Sequence, residues 1–260
     1  MPRSTHESTV SRRNKILHLL SETGQVMVGA LSQQFSVSEV TIRNDLDQLE
    51  KKNMLIRARG GALKFETSVG LDQRLADKHR INHPEKARIG RHASLLVNEG
   101  DTIIIDSGST TAEMVKNLPD LHDLTVITNA LNIANQLVNR PNINMIIPGG
   151  YLRKNMLSLV GPQSEKSLRN FNVDKVFLGV DGFDTKSGIF TPSVEEARLN
   201  EIMIEVSKEV ILLVDSSKFK RRSFAFICSI NDIDKVITDD KITDDDKKRL
   251  LDAGVEVIIV

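Results

Sequence analysis

Cysteine and long apolar runs are both scarce in this 260-residue chain. Cys228 is the single cysteine, so no disulfide can form within the chain, and a reducing compartment is expected. The polar start, MPRSTHESTVSRRNK, lacks the apolar core of a secretory signal, and no run approaches the ~18 apolar residues of a membrane span. These absences exclude a disulfide-stabilised secreted protein and an integral membrane protein, and we expect a soluble protein of the cytoplasm.

Motifs for metals and nucleotide cofactors are also missing. The six histidines are scattered, and although His79 and His83 are four residues apart, Pro84 follows at once and no cysteine is near. The chain has neither the Gly-Lys-Ser/Thr ending of a Walker loop nor the three-glycine spacing of a dinucleotide fingerprint. We therefore expect no metal and no cofactor.

Net charge is absent as well, because 35 basic residues balance 35 acidic ones. The distribution is uneven, however: residues 1–65 hold ten basic and six acidic side chains, a balance of +4, and the remaining 25 basic and 29 acidic side chains give −4. Two parts of opposite sign suggest two domains with different partners.

The N-terminal part has the pattern of a helix-turn-helix module. Residues 11–21 and 29–35 have the apolar spacing of helices, with room for a small strand at 26–28. Residues 36–37 turn the chain, and a further helix follows over 38–53. In a helix-turn-helix module this last helix lies in the major groove of DNA.

The helix after the turn has two different sides. Ile42, Leu46 and Leu49 recur at i, i+4 and i+7, which predicts a buried stripe. The opposite side is a mixture of side chains that can contact base edges, unlike the Lys and Glu of an ordinary solvated surface: Val40, Thr41, Arg43, Asn44 and Gln48.

A hairpin follows this helix. Residues 55–59 (LIRAR) alternate in polarity, Gly60-Gly61 permits a tight turn, and residues 62–65 return. Arg57 and Arg59 are two residues apart, so they project from one face and can reach phosphates or an adjacent groove. The hairpin has the position of the wing in a winged helix; the less favoured alternative is a three-helix packing unit with a charged surface.

These residues resemble a known family. VSEVTIRNDL, then LE, then RARGGAL is similar to the N-terminal signature of the DeoR family of bacterial sugar-metabolism regulators, and within it to repressors of N-acetylgalactosamine and galactitol pathways. The resemblance implies a transcriptional repressor that binds operator DNA as an oligomer.

Specific roles can be assigned within the DNA-binding residues. Asn44 can bind adenine through two hydrogen bonds, and Arg43 can bind guanine or phosphate. Val40 or the methyl group of Thr41 can contact a thymine methyl, and Ser38 at the helix start can hold a phosphate. Asp45 and Asp47 would repel phosphate, so we expect them to join helices or position an arginine. The full set of expected DNA-binding residues is Ser38, Val40, Thr41, Arg43, Asn44, Arg57 and Arg59.

From residue 84 onward, short apolar strands alternate with helices, after a polar linker at 66–83. This alternation predicts an α/β domain over 84–260 with a mostly parallel sheet covered on both faces. The predicted strands are 102–105, 124–127, 144–147, 175–180, 210–214, 235–237 and 256–260.

Small polar clusters follow five of these strands, at the edge where ligands of parallel sheets bind. They are DSGSTT (106–111), TNA (128–130), PGG (148–150), DGFD (181–184) and DSSK (215–218). In the first, Gly108 permits a tight turn, and Ser109, Thr110 and Thr111 bring hydroxyl and amide groups to a helix N-terminus, which favours an anion. Each cluster alone has the composition of an ordinary turn, and for TNA and PGG taken singly that interpretation is favoured. The convergence of all five clusters on one edge favours a binding site instead.

DSGSTT, DGFD and DSSK resemble the phosphate loop and two active-site segments of ribose-5-phosphate isomerase, to whose fold the sensor domains of the DeoR family are related. The resemblance implies binding of a phosphorylated sugar. The phosphate would lie near Asp106, Gly108, Ser109, Thr110 and Thr111, and the sugar or its phosphate near Asn129, Gly150, Arg153, Asp181 and Lys218.

The sequence leaves two alternatives to a repressor. One is a sugar-phosphate isomerase with an appended DNA-binding module, although TKSGIFTPSVEEARLN lacks the glycine-rich run that follows the acidic motif in the isomerase. The other is an activator of the same architecture.

Glu195 and Glu196 are adjacent on a predicted helix, so they point in different directions. We expect them on the helix surface, with Glu196 as a weak site candidate.

Overall fold

The computed structural model describes residues 9–23, 25–51, 54–58, 60–64 and 72–260. The chain divides into two compact units, Met1–Ser68 and Val69–Val260. Each unit has its own hydrophobic core. Within the described parts of the chain, none of the helices combines the length and the apolar character that crossing a membrane requires.

The first unit is a winged helix-turn-helix, as predicted. Strand β3 pairs antiparallel with both β1 and β2, which confirms the hairpin, with Gly60 at a positive φ of 81° between its strands. The elements in chain order are α1 (Thr9–Thr23), β1 (Gln25–Met27), α2 (Val28–Phe35), α3 (Glu39–Lys51), β2 (Leu55–Ala58) and β3 (Gly61–Lys64).

The core of this unit is built on the predicted stripe of α3. Ile42 and Leu46 are fully buried and Leu49 is 3% exposed. They form one cluster with Ile16 of α1 and Leu31 of α2. Burial of one large aliphatic side chain stabilises the folded state by about 1.5–3 kcal/mol. The buried stripe therefore fixes which side of α3 faces outward.

An ion-pair cluster joins α3 to α1. The Asp45 carboxylate accepts hydrogen bonds from Nε of Arg12 at 2.6 Å and from Nε of Arg13 at 2.8 Å. Asp45 is buried, and loss of one partner of a buried pair typically destabilises a protein by about 3–5 kcal/mol. The expectation that Asp45 joins helices is confirmed.

The second unit is an α/β domain whose parallel sheet is covered by helices on both faces. Its main sheet has the strand order β15-β14-β12-β9-β4-β5-β6, and every neighbouring pair is parallel. The elements in chain order are α4 (Leu75–Arg80), α5 (His83–Ser94), β4 (Thr102–Ile105), α6 (Ser109–Lys116), β5 (Leu124–Ile127), α7 (Leu131–Leu137), β6 (Ile143–Ile146), β7 (Tyr151–Arg153), β8 (Ser158–Val160), α8 (Pro162–Leu168), β9 (Val173–Gly179), β10 (Gly182–Asp184), β11 (Gly188–Thr191), α9 (Val194–Glu205), β12 (Ser207–Leu213), β13 (Ala225–Cys228), β14 (Lys235–Thr238), α10 (Asp244–Asp252) and β15 (Glu256–Ile259).

All seven predicted strands are present in this sheet. Alternate residues of β4 point to opposite faces, so Ile104 belongs to one core and Ile103 and Ile105 to the other. The strand ends differ slightly from the prediction; β12, for example, begins at Ser207 instead of residue 210.

Two small antiparallel assemblies were not predicted. One is the hairpin of β7 and β8, and the other is the three-stranded sheet β10-β11-β13. Each of these strands has only three or four residues, too few for a repeating polarity pattern.

Helix α4 lies within the segment predicted to be a linker, residues 66–83. Its residues belong to the second unit, and Leu75 is buried there. Residues 66–71 of that segment lie outside the described residues.

Candidate functional site

A cleft lies at the carboxyl ends of the three central strands β4, β9 and β12. These strands are neighbours in the sheet, so the residues that follow them converge on one place. Six predicted ligand-binding residues line this cleft: Asp106, Gly108, Ser109, Thr110, Asp181 and Lys218.

The turn from β4 into α6 forms one wall of the cleft. Gly108 has an extended backbone, and a Cβ added there would come within 3.0 Å of the Thr111 hydroxyl oxygen. Ser109 and Thr110 begin α6 and are largely buried. Because backbone N–H groups in the first turn of a helix have no partner within the helix, this wall presents donors to an anion.

Asp106 is the buried acid of this wall. Burial, reinforced by repulsion from the Glu196 carboxylate, raises the pKa of Asp106 well above its ordinary value. Its carboxyl group therefore retains a proton to higher pH than an exposed aspartate does, and a protonated carboxyl can donate a hydrogen bond.

Two lysines lie close to Asp181, another acidic residue that lines the cleft. Lys78 Nζ lies 2.6 Å from Asp181 Oδ1, and Lys218 Nζ lies 3.7 Å from the same oxygen. Burial acts to raise the pKa of Asp181, but the charges of Lys78 and Lys218 outweigh it, and the pKa lies below its ordinary value. Asp181 is thus held as a carboxylate between two cations.

A third lysine, Lys86, reaches the cleft from α5. It is 3% exposed, and its Nζ donates a hydrogen bond to the backbone carbonyl of Lys78 at 2.6 Å. Burial lowers the pKa of Lys86 to about 8. An anion in the cleft would favour the protonated form of this side chain.

Glu196 also lines the cleft, so the expectation that it lies on the helix surface is wrong. Glu196 is buried, and its carboxylate accepts hydrogen bonds from the Ser158 hydroxyl at 3.0 Å and the Thr191 hydroxyl at 3.2 Å. Arg153 contributes an ion pair to the same carboxylate. Helix α9 presents Glu196 and Asn200 on one side toward the cleft.

Four predicted ligand-binding residues do not line the cleft. The Thr111 hydroxyl donates to the Gly108 carbonyl at 3.1 Å and is fully buried. Asn129 Nδ2 donates to the Leu159 carbonyl, so this amide joins the end of β5 to strand β8. Arg153 joins the carboxylates of Asp72 and Glu196, so it contacts a cleft residue without lining the cleft itself.

Gly150 is the fourth, and its backbone explains why glycine is present. Its φ is 115°, and an added Cβ would lie 2.1 Å from the Ser164 hydroxyl oxygen. Gly150 therefore permits a close approach of the chain to β8 and α8, which agrees with the turn interpretation of PGG.

Several cleft residues were missed by the sequence prediction. Lys86 was detectable, because it precedes the buried Ile89 and Gly90 by three and four residues and so interrupts the apolar side of α5. Lys78 carried no such signal, since its partner Asp181 is 103 residues away in sequence. Other polar cleft residues that the prediction missed are Ser107, Thr191, Asn200 and Asp215.

The candidate DNA-binding surface of the first unit is the outer side of α3. Val40, Arg43 and Asn44 are exposed, whereas Thr41 is half-buried. The Ser38 hydroxyl oxygen accepts a hydrogen bond from the Thr41 backbone N–H at 3.2 Å, which caps the start of α3. Arg43 forms an i, i+4 ion pair with Glu39.

Arg57 on the hairpin is bound within the unit. Its Nε donates to Asp47 Oδ1 at 2.9 Å, and one terminal nitrogen donates to the Gly61 carbonyl at 2.7 Å. The expectation that Asp47 positions an arginine is confirmed. Arg59 lies outside the described residues.

Comparison with known proteins agrees with this division of the chain. Residues 12–68 match the DeoR-like helix-turn-helix domain, and residues 81–240 match the DeoR C terminal sensor domain. A transcriptional repressor provisionally assigned to the aga operon of Escherichia coli O157:H7 is 40% identical over 97% of this chain and 94% of that protein. The glycerol-3-phosphate regulon repressor of Escherichia coli K12 is 33% identical over 88% of this chain and 90% of that protein.

Solved structures give a weaker similarity. Ribose 5-phosphate isomerase A from Methanocaldococcus jannaschii is 19% identical and has a TM-score of 0.40. The match covers 53% of this chain and 55% of the isomerase. Values this low have no bearing on function.

Proposed function

Because the chain belongs to the DeoR family of transcriptional regulators, we propose that it is a repressor of a sugar-catabolism operon that responds to a phosphorylated sugar. The first unit binds operator DNA, and the second binds the effector. The protein acts in the cytoplasm, and its relatives over nearly the whole length are named as regulators and not as enzymes.

The observation that carries the effector assignment is the charge arrangement of the cleft. The N-terminus of α6 and the side chains of Lys78, Lys86 and Lys218 line the same cleft. Amide dipoles at a helix N-terminus and ammonium groups both favour an anion, and phosphate uses both kinds of partner. We assign the phosphate to Gly108, Ser109 and the lysines.

The sugar portion would occupy the remaining polar wall. Glu196 and Asn200 of α9 line this side, and Asp106 adjoins it from the turn after β4. Carboxyl and amide groups suit the hydroxyl groups of a sugar. An amino-sugar or hexitol phosphate is the class that we propose, with Asn129, Gly150, Thr111 and Arg153 supporting the surrounding turns.

On the first unit, we assign base contacts to Val40, Thr41, Arg43 and Asn44 and a phosphate contact to Ser38. The exposure of this side of α3 supports the assignment. Arg57 would contact DNA phosphate only after its pair with Asp47 opens, and Arg59 completes the proposed set.

A thermal-shift screen tests the effector class. The probes are N-acetylgalactosamine 6-phosphate, galactosamine 6-phosphate and galactitol 1-phosphate, each beside its unphosphorylated parent. A ligand at 100 times its Kd stabilises the folded state by about 2.7 kcal/mol, so the phosphates should raise the melting temperature of the second unit. Ser109→Ala removes one proposed phosphate contact, so it should reduce the rise in melting temperature that the sugar phosphates cause. Stabilisation by the parents alone would contradict the phosphate assignment.

The sign of regulation is tested separately. A promoter–reporter fusion should be more active when the gene for this protein is deleted. Lower activity in the deletion strain would identify an activator instead.

A further inference from the structure

The segment that leads from the first unit into the second forms part of the candidate effector cleft. The boundary between the units lies at residues 68 and 69. Residues 72–82, here called the joining segment, begin three residues after the start of the second unit. This segment includes α4, and its Lys78 lines the cleft. The chain therefore passes through the effector site on its way from the DNA-binding unit.

The joining segment is held at both ends. At its start, the Asp72 carboxylate accepts hydrogen bonds from Arg153 and Asn155, and the Leu75 N–H donates to the Asn155 carbonyl at 2.8 Å. At its end, Asn82 Nδ2 donates to Asp215 Oδ1 at 2.8 Å. These contacts fix the segment across the cleft.

Lys78 is the central contact of this segment. Its Nζ lies within 2.8 Å of both carboxylate oxygens of Asp181, and both side chains are largely buried. Helix α4 also packs against α6, whose N-terminus is the candidate phosphate site. Lys78 thus contacts a carboxylate of the protein and lines the same cleft as the candidate phosphate site.

A second arrangement of charges is available when an anion enters. Three ammonium groups, those of Lys78, Lys86 and Lys218, line the cleft together with the carboxylates of Asp181 and Asp215. If Lys78 turned to a phosphate, Lys218, whose Nζ lies 3.7 Å from Asp181 Oδ1, and Lys86 would both still act on the Asp181 carboxylate, so loss of Lys218 alone would leave it one cation. Neither arrangement leaves the Asp181 carboxylate without a cation, so neither carries the cost of an unpaired buried charge at this position.

We propose that Lys78 couples effector binding to DNA binding: it exchanges Asp181 for the effector phosphate, and the joining segment shifts with it. This inference rests on the proposed function. An effector changes DNA affinity only if it interacts differently with the two states, and the exchange of partners by Lys78 supplies that difference at the point where the chain enters the second unit.

Matched lysine variants test the inference. Lys78 and Lys218 both face Asp181, but only Lys78 belongs to the joining segment. For wild type, Lys78→Gln and Lys218→Gln, the Kd for a duplex selected from a random library is measured with and without saturating N-acetylgalactosamine 6-phosphate, galactosamine 6-phosphate or galactitol 1-phosphate. The ratio of the two Kd values is the coupling factor, and typical factors are about 5–150.

Both variants are expected to need more sugar phosphate for saturation. At saturation, Lys218→Gln should retain the wild-type coupling factor, whereas that of Lys78→Gln should fall to about 1, because its joining segment no longer senses the phosphate. A wild-type coupling factor in saturated Lys78→Gln would overturn the inference. Loss of coupling in both variants would also overturn it, because the effect would then follow from total charge.

Asp72→Asn is a second variant, with its substitution outside the cleft. It weakens the hold at the start of the joining segment, so it should bind the sugar phosphate as wild type does but with a smaller coupling factor. Unchanged coupling would count against a role for the segment. If wild type itself neither binds any of the sugar phosphates nor changes its DNA affinity, the proposed function fails instead, so the two failures are distinguishable.

Discussion

Lys86 illustrates how burial prepares a side chain for one kind of ligand. Its ammonium group is buried in a cleft that also holds Lys78 and Lys218, and burial is the largest cause of its lowered pKa, which is about 8. The carboxylates of Asp215 and Asp181 act in the opposite direction. The cleft therefore holds a cation that is incompletely compensated near neutral pH, and a phosphate would compensate it.

The pKa of Lys86, about 8, predicts how effector affinity depends on pH. Protonated Lys86 attracts the phosphate, and it loses its proton as the pH rises through about 8. Affinity for N-acetylgalactosamine 6-phosphate should therefore be high at pH 7 and fall as the pH approaches 9, with proton uptake on binding near pH 8. Calorimetry in buffers of different ionisation enthalpy measures both quantities.

Lys86→Gln is the control for this experiment. It should bind more weakly at pH 7 and show little further decline toward pH 9. A decline as steep as that of wild type would assign the titration to another group.

Helix α3 shows how one element combines a structural and a recognition role. Its inner side contributes Ile42 and Leu46 to the core, and Asp45 binds two arginines of α1. These contacts fix the rotation of the helix about its axis. The outward direction of Arg43 and Asn44 is therefore a consequence of core packing.

Base recognition and phosphate contact by this unit should be separable by mutation. Asn44→Ala should lose about 10-fold in affinity for duplexes with the preferred base at particular positions and little for others, because a bidentate base contact contributes ~1–3 kcal/mol. Arg57→Ala should weaken binding evenly and reduce the salt dependence by about one phosphate contact. Affinities for a panel of single-base variants at several salt concentrations distinguish the two.

The two variants also control for each other. Because Arg57 bonds to Asp47 and to the Gly61 carbonyl, thermal melts must show that Arg57→Ala keeps the hairpin folded. Equal losses on every duplex for both variants would contradict the assigned roles.

For the whole molecule, the proposed operator binding predicts that more than one copy of the chain binds each operator. A single α3 contacts a few base pairs, and a symmetric pair reads two half-sites about 10 bp apart, or a multiple of that spacing. We expect hydroxyl-radical footprints on the selected duplex to show two equivalent protected segments, and sedimentation to show at least two chains per duplex. One protected segment with one bound chain would exclude the symmetric arrangement.

The amino-acid sequence alone determined the features that depend on residues close together in the chain. The i, i+4, i+7 stripe of α3 and the apolar runs of the seven parallel strands are visible in sequence, because burial of each element requires a regular local pattern. The turn after β4 was equally evident, since Gly108 and the hydroxyl residues behind it indicate a strand-to-helix turn. These features gave the fold class and four residues of the candidate site, Asp106, Gly108, Ser109 and Thr110.

Tertiary structure decided which of these local features meet. The strand order brings the ends of β4, β9 and β12 together but leaves the turns at Asn129 and Gly150 outside the cleft. It also buries Glu196 and places Lys78 against Asp181. Strand order and pairing between distant residues depend on the packing of the whole domain, and no local periodicity contains that information.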